Sequence, residues 1–140
     1  RGDHLRSVIR PRLDAGDWVL SDRFTDSTMA YQGYGHGLGS AAIARLQALV
    51  LGDFIPDLTL ILDVPVDVGL ARATSGRRGE DRYLDMGRTF HENVRQGFLD
   101  IAENDPELCI LLDGTVSAET LFLRICAALN ERFGMKISPV

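Results

Sequence analysis

Near the middle of the sequence lies an apolar run without polar alternation, Leu58-Thr59-Leu60-Ile61-Leu62-Asp63-Val64. A strand with one wet face would alternate, so this run predicts a strand buried on both faces, as in a parallel sheet. Parallel strands cannot be joined by a tight turn; they need a crossover of roughly a dozen residues or more, usually helical. The flanking sequence supplies helical patterns of that kind, so the expected class is α/β.

Leu5, Val8, Ile9 and Leu13 mark a first helical stripe, which Pro11 is expected to kink or end early. Asp14 to Asp17 reads as a turn, and Trp18-Val19-Leu20-Ser21 as a short buried strand ending in Asp22, with Trp18 in the core. A glycine-rich loop is expected from Gly33 to Gly39, then a helix carrying Ile43, Leu46 and Val50 that stops near Gly52 and Pro56. A helix from about Asp67 to Ala73 follows, and then a polar Arg/Gly-rich loop from Thr74 to Arg82. Phe90, Val94, Phe98 and Ile101 predict a long amphipathic helix. Cys109-Ile110-Leu111-Leu112-Asp113 predicts a third strand, and Ser117 caps a last helix with Leu121, Ile125, Leu129 and Phe133 on one face.

All three expected strands end in an acid: Asp22, Asp63 and Asp113. Ligands of open parallel sheets bind beyond the carboxyl ends of the strands, where a carboxylate can serve Mg²⁺. Of the 15 basic residues, all but Lys136 are Arg, whose planar fork suits phosphate oxygens. The net charge of −5 argues against broad nucleic-acid binding, and no run of 18 apolar residues predicts a membrane span. Cys109 and Cys126 each sit among apolar neighbours and read as buried free thiols of a reducing compartment.

The stretch Asp22-Arg23-Phe24-Thr25-Asp26-Ser27-Thr28-Met29-Ala30-Tyr31-Gln32-Gly33 gathers an acid, a base, hydroxyls, a phenol and an amide within one expected loop at a strand end. Arg suits a phosphate, hydroxyls and amide suit base edges, and an aromatic suits stacking. This stretch resembles the Asp-Arg signature of bacterial thymidylate kinases. The resemblance continues in order through Val50–Leu60, Asp63–Arg72, the Arg-rich Arg77–Tyr83 and Asp113-Gly114-Thr115. Arg1 and His4 resemble the end of the family's Ala-Asp-Arg-x-x-His helix motif.

The resemblance implies a single thymidylate kinase domain over residues 1–140 with a three-layer nucleoside-monophosphate-kinase fold, incomplete at the N-terminus. It implies phosphoryl transfer from ATP to dTMP, a step toward dTTP, in a cytoplasmic homodimer. It places Arg1, Arg23, Ser27, Thr28, Tyr31, Gln32 and Tyr83 around dTMP, with Arg23 gripping its phosphate. It places Arg72, Asp113, Gly114 and Thr115 with ATP, and Asp22 with Mg²⁺, through water. A lid over about residues 74–85 would bring Arg77, Arg78 and Arg82 to the transferred group; excluding water on closure protects ATP from hydrolysis.

Two departures matter. No Gly-x-x-x-x-Gly-Lys-Ser/Thr cradle occurs, since the single Lys is Lys136. The family's first strand, which lies between those matching Trp18–Ser21 and Leu58–Val64, is absent with it, so the expectation is a partial domain, inactive alone. Leu84 stands where the family carries an acid, with Asp85 beside it. A deoxynucleoside kinase and a catalytically dead nucleotide-binding remnant remain as alternatives.

Overall fold

The computed structural model describes residues 1–75 and 86–138. The chain opens with helix α1, continuous through Gly2–His4, a wide π-type turn Leu5–Ile9, and Arg10–Asp14. Helix α2 joins Thr25–Thr28 to a second π-type segment, Met29–Gly35, and α3 spans Ser40–Leu51. Then come β1 (Thr59–Asp63), α4 (Val66–Ser75), α5 (Arg88–Asn104), β2 (Cys109–Asp113) and α6 (Ala118–Phe133).

β1 and β2 pair in parallel, in register from Thr59 opposite Cys109 to Asp63 opposite Asp113. The sheet therefore ends on two adjacent carboxylates. α4 and α5 belong to the crossover that the parallel pairing requires. Ser117 caps α6 by accepting the Thr120 N–H at 3.2 Å, and Gly134 closes it at φ 62°. Both cysteines are buried and free, and burial pushes the Cys109 thiol up to about 11.

Three expectations require correction. Among the described residues the sheet has two strands, and Trp18–Ser21 is not one of them. A strand exists only against a neighbour, and among the described residues no strand lies against this segment. Trp18 is 67% exposed rather than in the core, its ring meeting Phe133 edge-on at 5.0 Å, and Leu20 is 98% exposed. Second, of the kink or early end expected at Pro11, the early end does not occur, since α1 runs on to Asp14. Proline stands at the start of the segment after the π-type turn, where its missing N–H is tolerated. Third, residues 25–35, expected as loop, form α2, with Gly33 and Gly35 inside it; the loop begins at His36.

Gly35 and Gly97 are contact positions. A Cβ on Gly35 would meet Phe90 Cε2 and Val94 Cγ2 at 2.7 Å. One on Gly97 would meet the Tyr34 ring at 2.8 Å. The two glycines let α2 and α5 approach face to face. Ala30, Phe90 and Val94 form the buried cluster between them, with Tyr31, Met86 and Phe98 packed around it. A second cluster, Leu5, Ile9 and Leu51, joins α1 to α3 and receives Phe24 and Phe54.

Gly97→Ala tests this packing by its sign. In a free helix alanine is favoured over glycine by about 1 kcal/mol. Here the clash with Tyr34 should dominate, giving a net loss of about 1–3 kcal/mol in urea unfolding. A stability gain would show that Tyr34 does not lie on Gly97.

Candidate nucleotide site

Arg23 is the only non-glycine residue with positive φ among the described residues, at 63°. Left-handed backbone at an arginine costs about 1–2 kcal/mol and persists only where the surroundings impose it. The consequence is geometric. The turn at Arg23 sends its guanidinium back along α2, where it lies 4.4 Å from the centroid of the Tyr31 ring. Its Nε donates to Ser27 Oγ at 3.2 Å, which gives buried Ser27 a partner. Ser27 and Tyr31 are one helical turn apart, so one face of α2 holds both contacts. Thr28 and Gln32 fall on the neighbouring face, half-buried.

Arg1 approaches the same place. Its guanidinium lies 6.0 Å from the Phe24 ring centroid. Burial and the positive charge of Arg23 lower its pKa, against the opposing pull of Asp26. Among the described residues neither Arg1 nor Arg23 forms an ion pair. Two cations held near each other without a carboxylate partner make a receptor for a multivalent anion.

The carboxylates nearby divide by role. Asp26 Oδ2 accepts from Thr59 Oγ1 at 3.2 Å, tying α2 to the start of β1. Asp26 was not among the residues singled out from the sequence, although its place three residues after Arg23 is a usable signal. Asp22 is exposed and has no side-chain partner among the described residues; it ends no strand, contrary to expectation.

A second group forms at the carboxyl ends of the strands. The Gly114 N–H donates to the Asp63 carbonyl at 2.8 Å, so the loop after β2 is pinned to the end of β1. Asp113 Oδ1 accepts the Thr115 hydroxyl at 2.6 Å and the Thr115 N–H at 2.8 Å, and these bonds lower its pKa. Arg72, at the far end of α4, donates to the Gly114 carbonyl at 2.7 Å and to that of Thr115 at 3.2 Å. The four residues assigned to ATP are therefore brought together, with Arg72 bracing the loop through its backbone. Arg77, Arg78, Arg82 and Tyr83 lie outside the described residues.

Sequence reasoning missed Arg95. Its Nε and Nη2 donate to Asp63 Oδ1 and Oδ2 at 2.7 and 2.8 Å, a two-pronged pair. The hydrogen bonds from Arg95 are the main reason the Asp63 carboxyl falls below the usual range. Asp63, Arg95, His91 and Tyr31 line a cavity of about 290 Å³ between β1, α4 and α5. No group of three or more potential metal ligands occurs among the described residues.

The family model of thymidylate kinase matches residues 1–125. A thymidylate kinase from Bradyrhizobium sp. (strain ORS 278) is 47% identical over 135 residues, covering 94% of this chain and 59% of that protein. The thymidylate kinase of Caulobacter vibrioides is 44% identical, with 96% of this chain and 64% of that protein covered. The crystal structure of thymidylate kinase from Ehrlichia chaffeensis superposes with a TM-score of 0.71 at 32% identity, covering 93% of this chain and 60% of that one. The chain thus spans about three-fifths of the length of these relatives. The chain belongs to the thymidylate kinase family.

Proposed function

We propose that the protein carrying this sequence transfers the γ-phosphoryl group of ATP to the phosphate of dTMP, giving dTDP and ADP. The observation that carries this reading is the Arg23–Tyr31–Ser27 arrangement beside Arg1: two cations without ion-pair partners among the described residues, Arg23 on a strained backbone. Phosphoryl transfer asks a protein for positioning and for neutralisation of charge on phosphate oxygens. Arg23 would hold the dTMP phosphate, with its head fixed by Ser27 and Tyr31. Arg1 would join it, and Thr28 and Gln32 would meet base edges. The loop at Asp113, Gly114 and Thr115, braced by Arg72, would receive the adenine side of ATP. Arg77, Arg78, Arg82 and Tyr83 would close a lid over about residues 74–85.

Asp22 fits a Mg²⁺ ion as the exposed carboxylate beside Arg23, since Mg²⁺ takes one or two carboxylates with phosphates and water. When bound, that ion would neutralise phosphate charge. Leu46, Leu49 and Val50 are exposed on α3 at i, i+3, i+4 spacing and support a homodimer. Two buried free thiols support a cytoplasmic setting.

The sequence holds no Gly-Lys phosphate cradle, so the 140 residues alone are not expected to turn over. The test is turnover by the protein carrying this sequence with dTMP or thymidine as acceptor. Turnover of dTMP is expected. Preference for thymidine would make it a deoxynucleoside kinase, and binding of another nucleotide but not dTMP would end the proposal.

A further inference from the structure

We propose that Asp63 and Arg95 are positioning residues that hold the acceptor arginine in line with the donor end of the sheet. The proposal rests on the phosphoryl-transfer reading above. Its basis is a continuous set of contacts. Asp63 is bonded through its backbone to Gly114, and Arg72 braces Gly114 and Thr115. Through its side chain Asp63 is bonded at two points to Arg95 of α5. The same helix supplies Phe90 and Phe98, whose rings meet Tyr31 edge-on at 6.2 and 6.4 Å. Tyr31 in turn carries the Arg23 guanidinium. Among the described residues, Asp63–Arg95 is the only ion pair between the sheet and α5.

The chemistry suits positioning rather than stabilisation. The side chains are 22% and 37% exposed, so solvent screens the pair and reduces its contribution to folding. Two parallel bonds nonetheless fix direction, which one bond or an apolar contact would not. Apolar attraction is non-directional, whereas the fork sets the direction of α5 relative to β1. A shift of about 1 Å in a reacting group can lower a rate on the order of 100-fold.

Arg95→Met, Arg95→Lys and Asp63→Asn test this in the protein carrying the sequence. In Arg95→Met, kcat should fall by about tenfold or more while KM for dTMP moves less than about threefold. Arg95→Lys, which keeps the charge and one bond, should recover part of the loss. A second readout does not depend on turnover. The Arg23 Nε–H resonance should be shifted by the Tyr31 ring current in the wild type, and that shift should diminish in Arg95→Met and Asp63→Asn. An unchanged shift in both variants overturns the proposal, whatever the kinetics. A wild type that fails to phosphorylate dTMP sinks the functional reading instead, and the ring-current shift still decides the role of the pair. If Arg95→Met does not fold, the isosteric Asp63→Asn carries the test.

Discussion

Replacing Arg23 by alanine is expected to lower kcat/KM for dTMP about 100-fold, roughly 3 kcal/mol, as loss of charged hydrogen bonds to a phosphate implies. The argument begins with the backbone. Arg23 sits at φ 63°, a conformation an L-residue adopts only under constraint. Glycine would occupy it without strain, so an arginine there reflects what its side chain does. That side chain lies on Tyr31 and bonds Ser27, and among the described residues no carboxylate pairs with it. Removing it leaves Arg1 as the remaining cation of the pair.

Arg23→Gly separates the chemical role from the structural one. It removes the same cation as Arg23→Ala but relieves the left-handed strain, so it should be more stable than the alanine variant by about 1 kcal/mol. Turnover should fall as far in both. Comparison of thermal unfolding with steady-state kinetics for the two variants checks both statements. A loss of activity under about tenfold in Arg23→Ala would refute the phosphate role.

What was legible in the sequence follows from which interactions are local. β1 and β2 are apolar runs that need no knowledge of partners beyond burial, and both stand within a residue of expectation. α5 and α6 carry their apolar stripes in sequence order and were equally plain. Trp18–Ser21 failed because strand formation is a property of two segments, and among the described residues no strand pairs with it. α2 was missed as a helix: the stretch after Asp22 reads as a loop, and Gly33 and Gly35 look like breakers when only the chain is in view. In the structure Gly35 admits Phe90 and Val94 of another helix.

The candidate site divides the same way. Ser27 and Tyr31 are one turn apart on α2, and Arg23 stands in the turn just before it, so their association follows from short spacing once the helix and that turn exist. Arg95 and Asp63 are 32 residues apart and meet only because the crossover returns α5 over β1. Arg72 and Gly114 are 42 apart, and no local pattern announces that an arginine will brace a backbone loop.

Phe90→Ala is expected to cost about 3–5 kcal/mol, the usual range for a buried phenylalanine. The ring is 7% exposed and fills the space between Ala30, which is fully buried, and Val94. It also meets the rings of Tyr31 and His36, and sits where a side chain on Gly35 would be. The cavity left behind would be bounded by α2 on one side and α5 on the other, two rigid elements that cannot collapse onto it. Urea unfolding measures the loss. Phe90→Leu, which keeps most of the volume, should cost less than about 1.5 kcal/mol and serves as the comparison. The same substitution bears on function, because Tyr31 rests on Phe90 and presents Arg23. At temperatures where Phe90→Ala remains folded, affinity for dTMP should weaken more than in Phe90→Leu. Equal affinities in the two variants would show that Phe98 alone suffices to hold Tyr31, and that the buried cluster serves stability without setting the acceptor site.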